Sequence, residues 1–253
     1  MNAKIKLLKI FFLFGLFVVE SWIYRSASKK TIANIISQFS SKILRILDIK
    51  CLYFNTWSSS YPGLIVSNHI SYIDILVLAK LNPSLFITSN EVKNSPGIGL
   101  LTRLAGCLFV DRRRRDLLAQ ETKEIENVLR EDISVVLFPE GTSSNGEVVL
   151  DFHAALYQSA IDAQKSVHNF YIHYSHSAVA YCGDDQFFEH LYRLCQQKPI
   201  YANLKYLGEN KCASGDDRKT IAKMSHEQIF NSHISRTRRN QIDHRDLESV
   251  WQG

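Results

Sequence analysis

The sequence predicts an α/β protein: a mixed, mostly parallel sheet flanked by helices, preceded by an N-terminal helix pair that docks on a membrane. Three observations carry this. From Cys51 onward, short apolar runs alternate with stretches of helical periodicity, as in a sheet covered by helices. Several of those runs stop at polar residues, and open α/β sheets place their ligands at the carboxyl ends of strands. Residues 1–50 hold nine Lys/Arg against Glu20 and Asp48, interleaved with apolar side chains. That mixture suits an anionic membrane surface more than nucleic acid.

The 45% hydrophobic content over 253 residues excludes a mostly disordered chain and allows one well-filled domain with an appendage. Five cysteines form no C-x-x-C pair and are odd in number, which points to reduced thiols on a cytoplasm-facing body. The expected division is an N-terminal anchor over 1–49, a catalytic domain over 50–210, and a C-terminal helix and tail over 211–253.

Residues 10–19 are uncharged and strongly apolar. Between Lys9 and Arg25 lie 15 residues, about 22 Å of helix. A bilayer core is roughly 30 Å thick, and Glu20 interrupts the stretch. Basic residues flank it on both sides. The expectation is a re-entrant or interfacial anchor with both ends on one face. The alternative is a signal peptide cleaved near 26–28, which would make the protein exported and soluble. Over 31–47, Ile32, Ile35, Ile36, Phe39, Ile43, Ile46 and Leu47 recur at helical spacing. This face suits either lipid or the protein body.

Strands are expected at 51–54, 63–67, 85–88, 106–110, 133–138, 170–180 and 200–207. Helices are expected at 71–80, 97–104, 114–130, 152–163, 184–195 and 217–231. Beyond 232 apolar residues thin out, and the tail reads as a loose helix or as disordered.

Three strand ends carry chemistry. The first is Ser67-Asn68-His69, followed by a helix bearing Asp74. Imidazole accepts protons at neutral pH and is a general-base candidate. Asp74 lies five residues on, so the two meet only if His69 sits in the turn and folds back over the helix start. Ser71-Tyr72-Ile73-Asp74 is also a capping-box pattern. Spacing alone leaves Asp74 as relay or as cap. The second end runs from Gly106 to Arg112 and opens an arginine cluster whose planar forks suit phosphate or carboxylate. The third is Phe138-Pro139-Glu140-Gly141-Thr142-Ser143. Proline stops the strand, glycine allows close backbone approach, and Thr142 to Ser144 offer hydroxyls and backbone N–H groups. No G-x-S-x-G elbow and no G-x-x-x-x-G-K-[ST] loop occurs. His173 and His176 stand three apart on an expected strand, on opposite faces, so they are not taken as a metal pair.

The order and content of these ends resemble the glycerophospholipid acyltransferase family, the PlsC-like lysophosphatidic acid and lysophospholipid acyltransferases. N-H-x-x-x-x-D matches Asn68, His69 and Asp74, the basic strand end matches Arg112, and F-P-E-G-T matches 138–142. The family's fourth motif, an apolar strand usually holding a proline, is matched poorly near 178–181. The resemblance covers about 50–210.

It implies an O-acyltransferase of membrane phospholipid biosynthesis. His69 would act as the base that activates a lysolipid hydroxyl and Asp74 as its orienter. Arg112, Glu140, Gly141 and Thr142 would hold the acceptor's head, supported by Asn68, Ser71 and Ser143. The donor would be acyl-CoA or acyl-carrier protein, with no metal or cofactor, at the cytoplasmic face of a membrane (the inner membrane if bacterial). Phosphatidic-acid-forming members usually place arginine where Ser143 stands. F-P-E-G-T-S-S-x-G looks instead like members that acylate other lyso-lipids, including lyso-ornithine lipid. A non-catalytic lipid-binding relative is the remaining alternative, against which the intact His69 and Asp74 stand.

Overall fold

The computed structural model describes residues 2–250 apart from 25, 56, 58–61, 96–97, 112–113 and 115, and over 238–250 only the helical backbone. Two helices open the chain, α1 (Ala3–Ile23) and α2 (Lys29–Leu47). The sheet follows, with β1 (Ile49–Phe54), β2 (Leu64–Ser67), α3 (Ile73–Leu81), β3 (Ser84–Ser89), α4 (Asn90–Lys93), α5 (Ile98–Leu104), β4 (Leu108–Val110), α6 (Leu118–Arg130) and β5 (Ser134–Leu137). Then come α7 (Gln158–Asp162), β6 (Val167–Tyr174), α8 (Phe187–Cys195), β7 (Ile200–Asn210) and α9 (Arg218–Val250).

The seven strands lie in the order β1-β7-β6-β2-β5-β3-β4. Neighbours run parallel except β6 and β7, which are antiparallel. The sheet is thus mixed and mostly parallel. β2 and β5 are buried throughout, which explains their unbroken apolar runs: a central parallel strand covered on both faces has no side for water. The carboxyl ends of β2, β3, β4, β5 and β6 point the same way, and that rim gathers the residues singled out above.

Helix α2 is capped by Ser28, whose side chain accepts from Thr31 N, and is closed by Asp48 in the left-handed region. Its apolar stripe, including Ile36, Ile43, Leu44 and Leu47, is buried, and it packs against α3, β1 and β3. The amphipathic face over 31–47 therefore belongs mainly to the protein body. Helix α1 is different. It buries Ile10 and Phe17, and its aromatic rings meet Phe39 of α2 and Phe188 of α8. Its other side leaves Leu8, Phe12, Val19, Trp22 and Ile23 more than half exposed. Among the described residues, no helix is long and apolar enough to cross a membrane.

Several expected boundaries move. The strand expected at 170–180 is β6, which starts earlier and stops at Tyr174. Residues 177–179 form a 3-10 turn instead. His168 and Asn169 look polar enough for a loop but are buried in the sheet. The helix expected at 152–163 is a 3-10 turn at 155–157 leading into α7. The helix expected at 217–231 continues to Val250. Helix α4 carries no signal long enough to be read.

Candidate active site

His69 follows the end of β2, in the turn before α3. Its ring edge folds back so that Nδ1 lies 2.9 Å from Oδ2 of Asp74, the first-turn carboxylate of α3. Asp74 is fully buried. The same Oδ2 accepts the backbone N–H of Ile70 at 2.7 Å and of Ser71 at 2.9 Å. Oδ1 accepts the phenol of Tyr174, from the end of β6, at 2.6 Å. A carboxylate only accepts, so Nδ1 of His69 carries the hydrogen and Nε2 is left as a bare acceptor. Ser71 adds its hydroxyl as acceptor for Ile73 N at 3.3 Å. Asp74 is thus both cap and orienter: one carboxylate closes the helix start and holds the imidazole.

Burial, with the Asp74 charge beside it, drives the Tyr174 phenol far above its ordinary pKa. It stays a donor at any physiological pH. Phe138 stacks on the other side of the site, its ring centroid 4.1 Å from that of His69. The imidazole is therefore fixed by a hydrogen bond along its plane and a ring across its face.

The backbone of His69 is held as well. Its N–H donates to Oε1 of Glu140 at 2.8 Å, and its carbonyl accepts from Ser144 N at 2.9 Å. Glu140 is buried, and its Oε2 accepts Leu150 N at 3.1 Å. Glu140, expected at the acceptor's head, is engaged with the backbone instead. Both its oxygens are engaged by backbone N–H groups, and it does not line the cavity. Burial raises its pKa to about 7, the two N–H donors pulling down and the Asp74 charge pushing up. Gly141 makes the turn that aims this carboxylate inward, at φ +78°, a backbone region open mainly to glycine.

Asn68 is a staple between strands. Its side chain donates to Ile172 O at 3.0 Å and accepts from Ile172 N at 2.9 Å, extending the β2–β6 ladder past the end of β2. Ser143 donates its hydroxyl to Tyr181 O, and Tyr181 N donates to Ile70 O. The 138–150 loop, the 69–72 turn and the 177–181 segment thus close on one another. Arg112 lies outside the described residues. Its neighbour Arg114 lines the cavity but pairs with Asp116 at 2.6 Å, both exposed.

His69 opens onto a cavity of about 840 Å³. Its walls are largely apolar, with Phe86, Val92, Ile98, Val110, Leu118 and Leu156. Polar residues that line it include Asp111, Thr142, Ser143 and His153. Such a lining suits a ligand that is apolar over most of its length and carries a few polar groups. No group of three or more metal-ligating side chains occurs among the described residues. His173 is half-buried and His176 is exposed, and His176 accepts Ala178 N.

Sequence reasoning missed Tyr174 and gave no role to Tyr181 or Tyr72. Tyr72 lines the cavity, and its hydroxyl meets Nδ1 of the buried His190 at 2.9 Å, while His190 Nε2 donates to Ala180 O at 3.0 Å. Tyr72 lay at an unspecified position of the first motif and Tyr181 at the end of the weakly matched fourth; Tyr174 lay in none.

The chain resembles known proteins along this same stretch. A family model described as Acyltransferase matches residues 52–173. A lyso-ornithine lipid O-acyltransferase of Brucella abortus is 31% identical over 187 residues, 66% of this chain and 70% of that protein. A 1-acyl-sn-glycerol-3-phosphate acyltransferase of Neisseria gonorrhoeae is 36% identical over 104 residues, 41% of each chain. The aligned part spans 42% of one lyso-ornithine lipid relative and 66% and 70% of two others. In three dimensions the chain is similar to the crystal structure of PlsC, the 1-acyl-sn-glycerophosphate (LPA) acyltransferase of Thermotoga maritima. The TM-score is 0.63 at 17% identity, over 93% of this chain and 98% of that one.

Proposed function

The chain belongs to the acyltransferase family, and from that premise we propose that it moves a fatty acyl group from a thioester to the free hydroxyl of a membrane lysolipid. The observation that carries this reading is the 2.9 Å contact of His69 Nδ1 with the buried Asp74, beside a large apolar cavity. Nε2 takes the proton of the acceptor hydroxyl as its oxygen attacks the thioester carbonyl. The C–O bond forms and the C–S bond breaks. The imidazolium, stabilised by Asp74, returns its proton to the departing thiolate. The base is then restored with no covalent acyl-enzyme. Base assistance of this kind is worth about 10²–10⁴ in rate; positioning of the two substrates supplies most of the remainder.

The apolar walls hold the acyl chain of the donor, acyl-CoA or acyl-carrier protein. Gly141, Thr142 and Ser143 face the acceptor head. Exposed apolar residues of α1, bordered by Lys4 and Lys9, rest on the cytoplasmic face of the membrane, where the acceptor resides.

A second reading narrows the acceptor to a lyso-lipid without a phosphomonoester, such as lyso-ornithine lipid. What favours it is Ser143: phosphatidic-acid-forming members usually carry a cation there, and this hydroxyl is engaged with Tyr181 O. Two relatives named lyso-ornithine lipid O-acyltransferases align over 66% of the chain, against 41% for the Neisseria protein. The test is purified protein with a panel of lysolipids and both donor types. Transfer to at least one lysolipid is expected, and absence of transfer to all of them with both donors overturns the reading.

A further inference from the structure

The C-terminal helix α9 lies outside the stretch matched by the family model, yet it reaches the loop that holds His69. His233 is buried on α9. Its Nε2 sits 2.9 Å from the carbonyl oxygen of Glu147, and its Nδ1 3.1 Å from the hydroxyl of Tyr171 on β6. A carbonyl only accepts, so Nε2 carries the hydrogen, and Nδ1 accepts from Tyr171. One imidazole therefore ties three pieces together: α9, the strand that carries Tyr174, and the loop after the F-P-E-G-T turn.

The place where it grips that loop is informative. Glu147 lies between Ser144, whose N–H holds the His69 carbonyl, and Leu150, whose N–H holds the Glu140 carboxylate. Gly146, next to Glu147, has φ +79°, and a Cβ there would approach a side-chain carbon of Ile70 to 3.2 Å. The loop is thus pressed against the residue that follows His69. A second contact from α9 lies further along, where His226 meets the ring of Phe152 at 5.0 Å.

We propose that His233 is a positioning residue for acyl transfer: by fixing the Glu147 carbonyl from outside, it holds the 144–150 segment that clamps the backbone of His69. The inference rests on the general-base reading of His69. If His233 only filled a buried slot, a phenylalanine of similar volume would serve as well.

The test compares His233→Phe with His233→Gln, whose amide nitrogen can donate to the same carbonyl. Because misplacing a reacting group by about 1 Å can cost about 100-fold, His233→Phe should lower kcat about tenfold or more with the acceptor KM within about twofold. His233→Gln should recover most of that loss. Ser144→Ala removes the hydroxyl that accepts Gly146 N at 3.2 Å and donates to the His69 carbonyl at 3.3 Å; combined with His233→Phe it should lose little more than the worse single variant, because both act on one segment. Wild-type-like kcat in His233→Phe, a Gln variant as poor as the Phe variant, or losses that multiply would each overturn the proposal. Should the Phe variant fail to fold, Tyr171→Phe removes the hydroxyl that orients the imidazole, and an unchanged kcat there counts against the proposal. Amide hydrogen exchange separates this inference from the proposed function. Faster exchange over 144–150 in His233→Phe, restored in His233→Gln, is expected even if no lysolipid is acylated, and unchanged exchange there refutes the clamp.

Discussion

Tyr174 donates its phenol to Oδ1 of Asp74 at 2.6 Å, across a gap of 100 residues. With that bond both carboxylate oxygens are engaged: three donors on Oδ2 and one on Oδ1. Asp74 cannot swing away from His69 without leaving buried N–H groups unpaired. The imidazole inherits that rigidity, and its free edge keeps one orientation toward the cavity.

His69→Ala should abolish acyl transfer while the fold survives. The ring makes no hydrogen bond in the core other than to Asp74, so far-UV circular dichroism and melting should change little. A rate above about a tenth of wild type would contradict the base role, given the usual size of such assistance.

Asp74→Asn separates the two uses of one side chain. An amide at this position presents one acceptor oxygen and an N–H₂ group to a site that offers only donors. The rate should fall about 100-fold or more, since the imidazole loses its orienting carboxylate. Stability should fall by about 1–3 kcal/mol, the usual cost of unpaired buried donors. A pure relay would leave urea denaturation unchanged and a pure cap would leave the rate unchanged. The structure predicts that both move.

Tyr174→Phe removes a single bond to a buried charge and adds no volume. Hydrogen bonds to charged groups contribute about 1.5–3 kcal/mol, and a loss of that size is expected by urea denaturation. The rate should drop only severalfold, because His69 Nδ1 and two backbone donors still hold Asp74. A larger loss of rate than Asp74→Asn would show that Tyr174 touches substrate instead.

Much of this was legible in the sequence. Strand runs such as Leu64-Ile65-Val66 and Val135-Val136-Leu137 are apolar on both faces because helices cover both sides of the sheet, and that pattern needs no partner to be read. The pairing of His69 with Asp74 needed more. On spacing alone a cap and a relay were equivalent, and only the fold shows that one carboxylate both closes the helix start and contacts the imidazole. Glu140 read as a ligand-facing acid because its partners, the backbone N–H groups of His69 and Leu150, have no residue signature. Tyr174 was invisible for the same reason that β6 was misplaced. His168 and Asn169 look like loop, but in the sheet they are buried, and Asn169 pairs with Gln228 of α9. Residues whose partners lie a hundred positions away leave no local pattern.

Glu140 gives a prediction about pH. Burial raises its pKa from 4.5 to about 7 in the folded state. Below 4.5 both states are protonated and the group adds no pH dependence. Between 4.5 and about 7 the unfolded chain has lost the proton and the folded chain keeps it. The folded state then binds more protons, so this group's contribution to stability falls as pH rises through that window and is fully lost above it. Glu140→Gln removes the titration. Its melting temperature should vary less than wild type's between about pH 5 and 7. The variant should also be less active at every pH, because an amide N–H₂ replaces one of the two acceptors that hold His69 N and Leu150 N. Parallel melting curves for wild type and variant across that range would mean that Glu140 is already ionised in the folded protein.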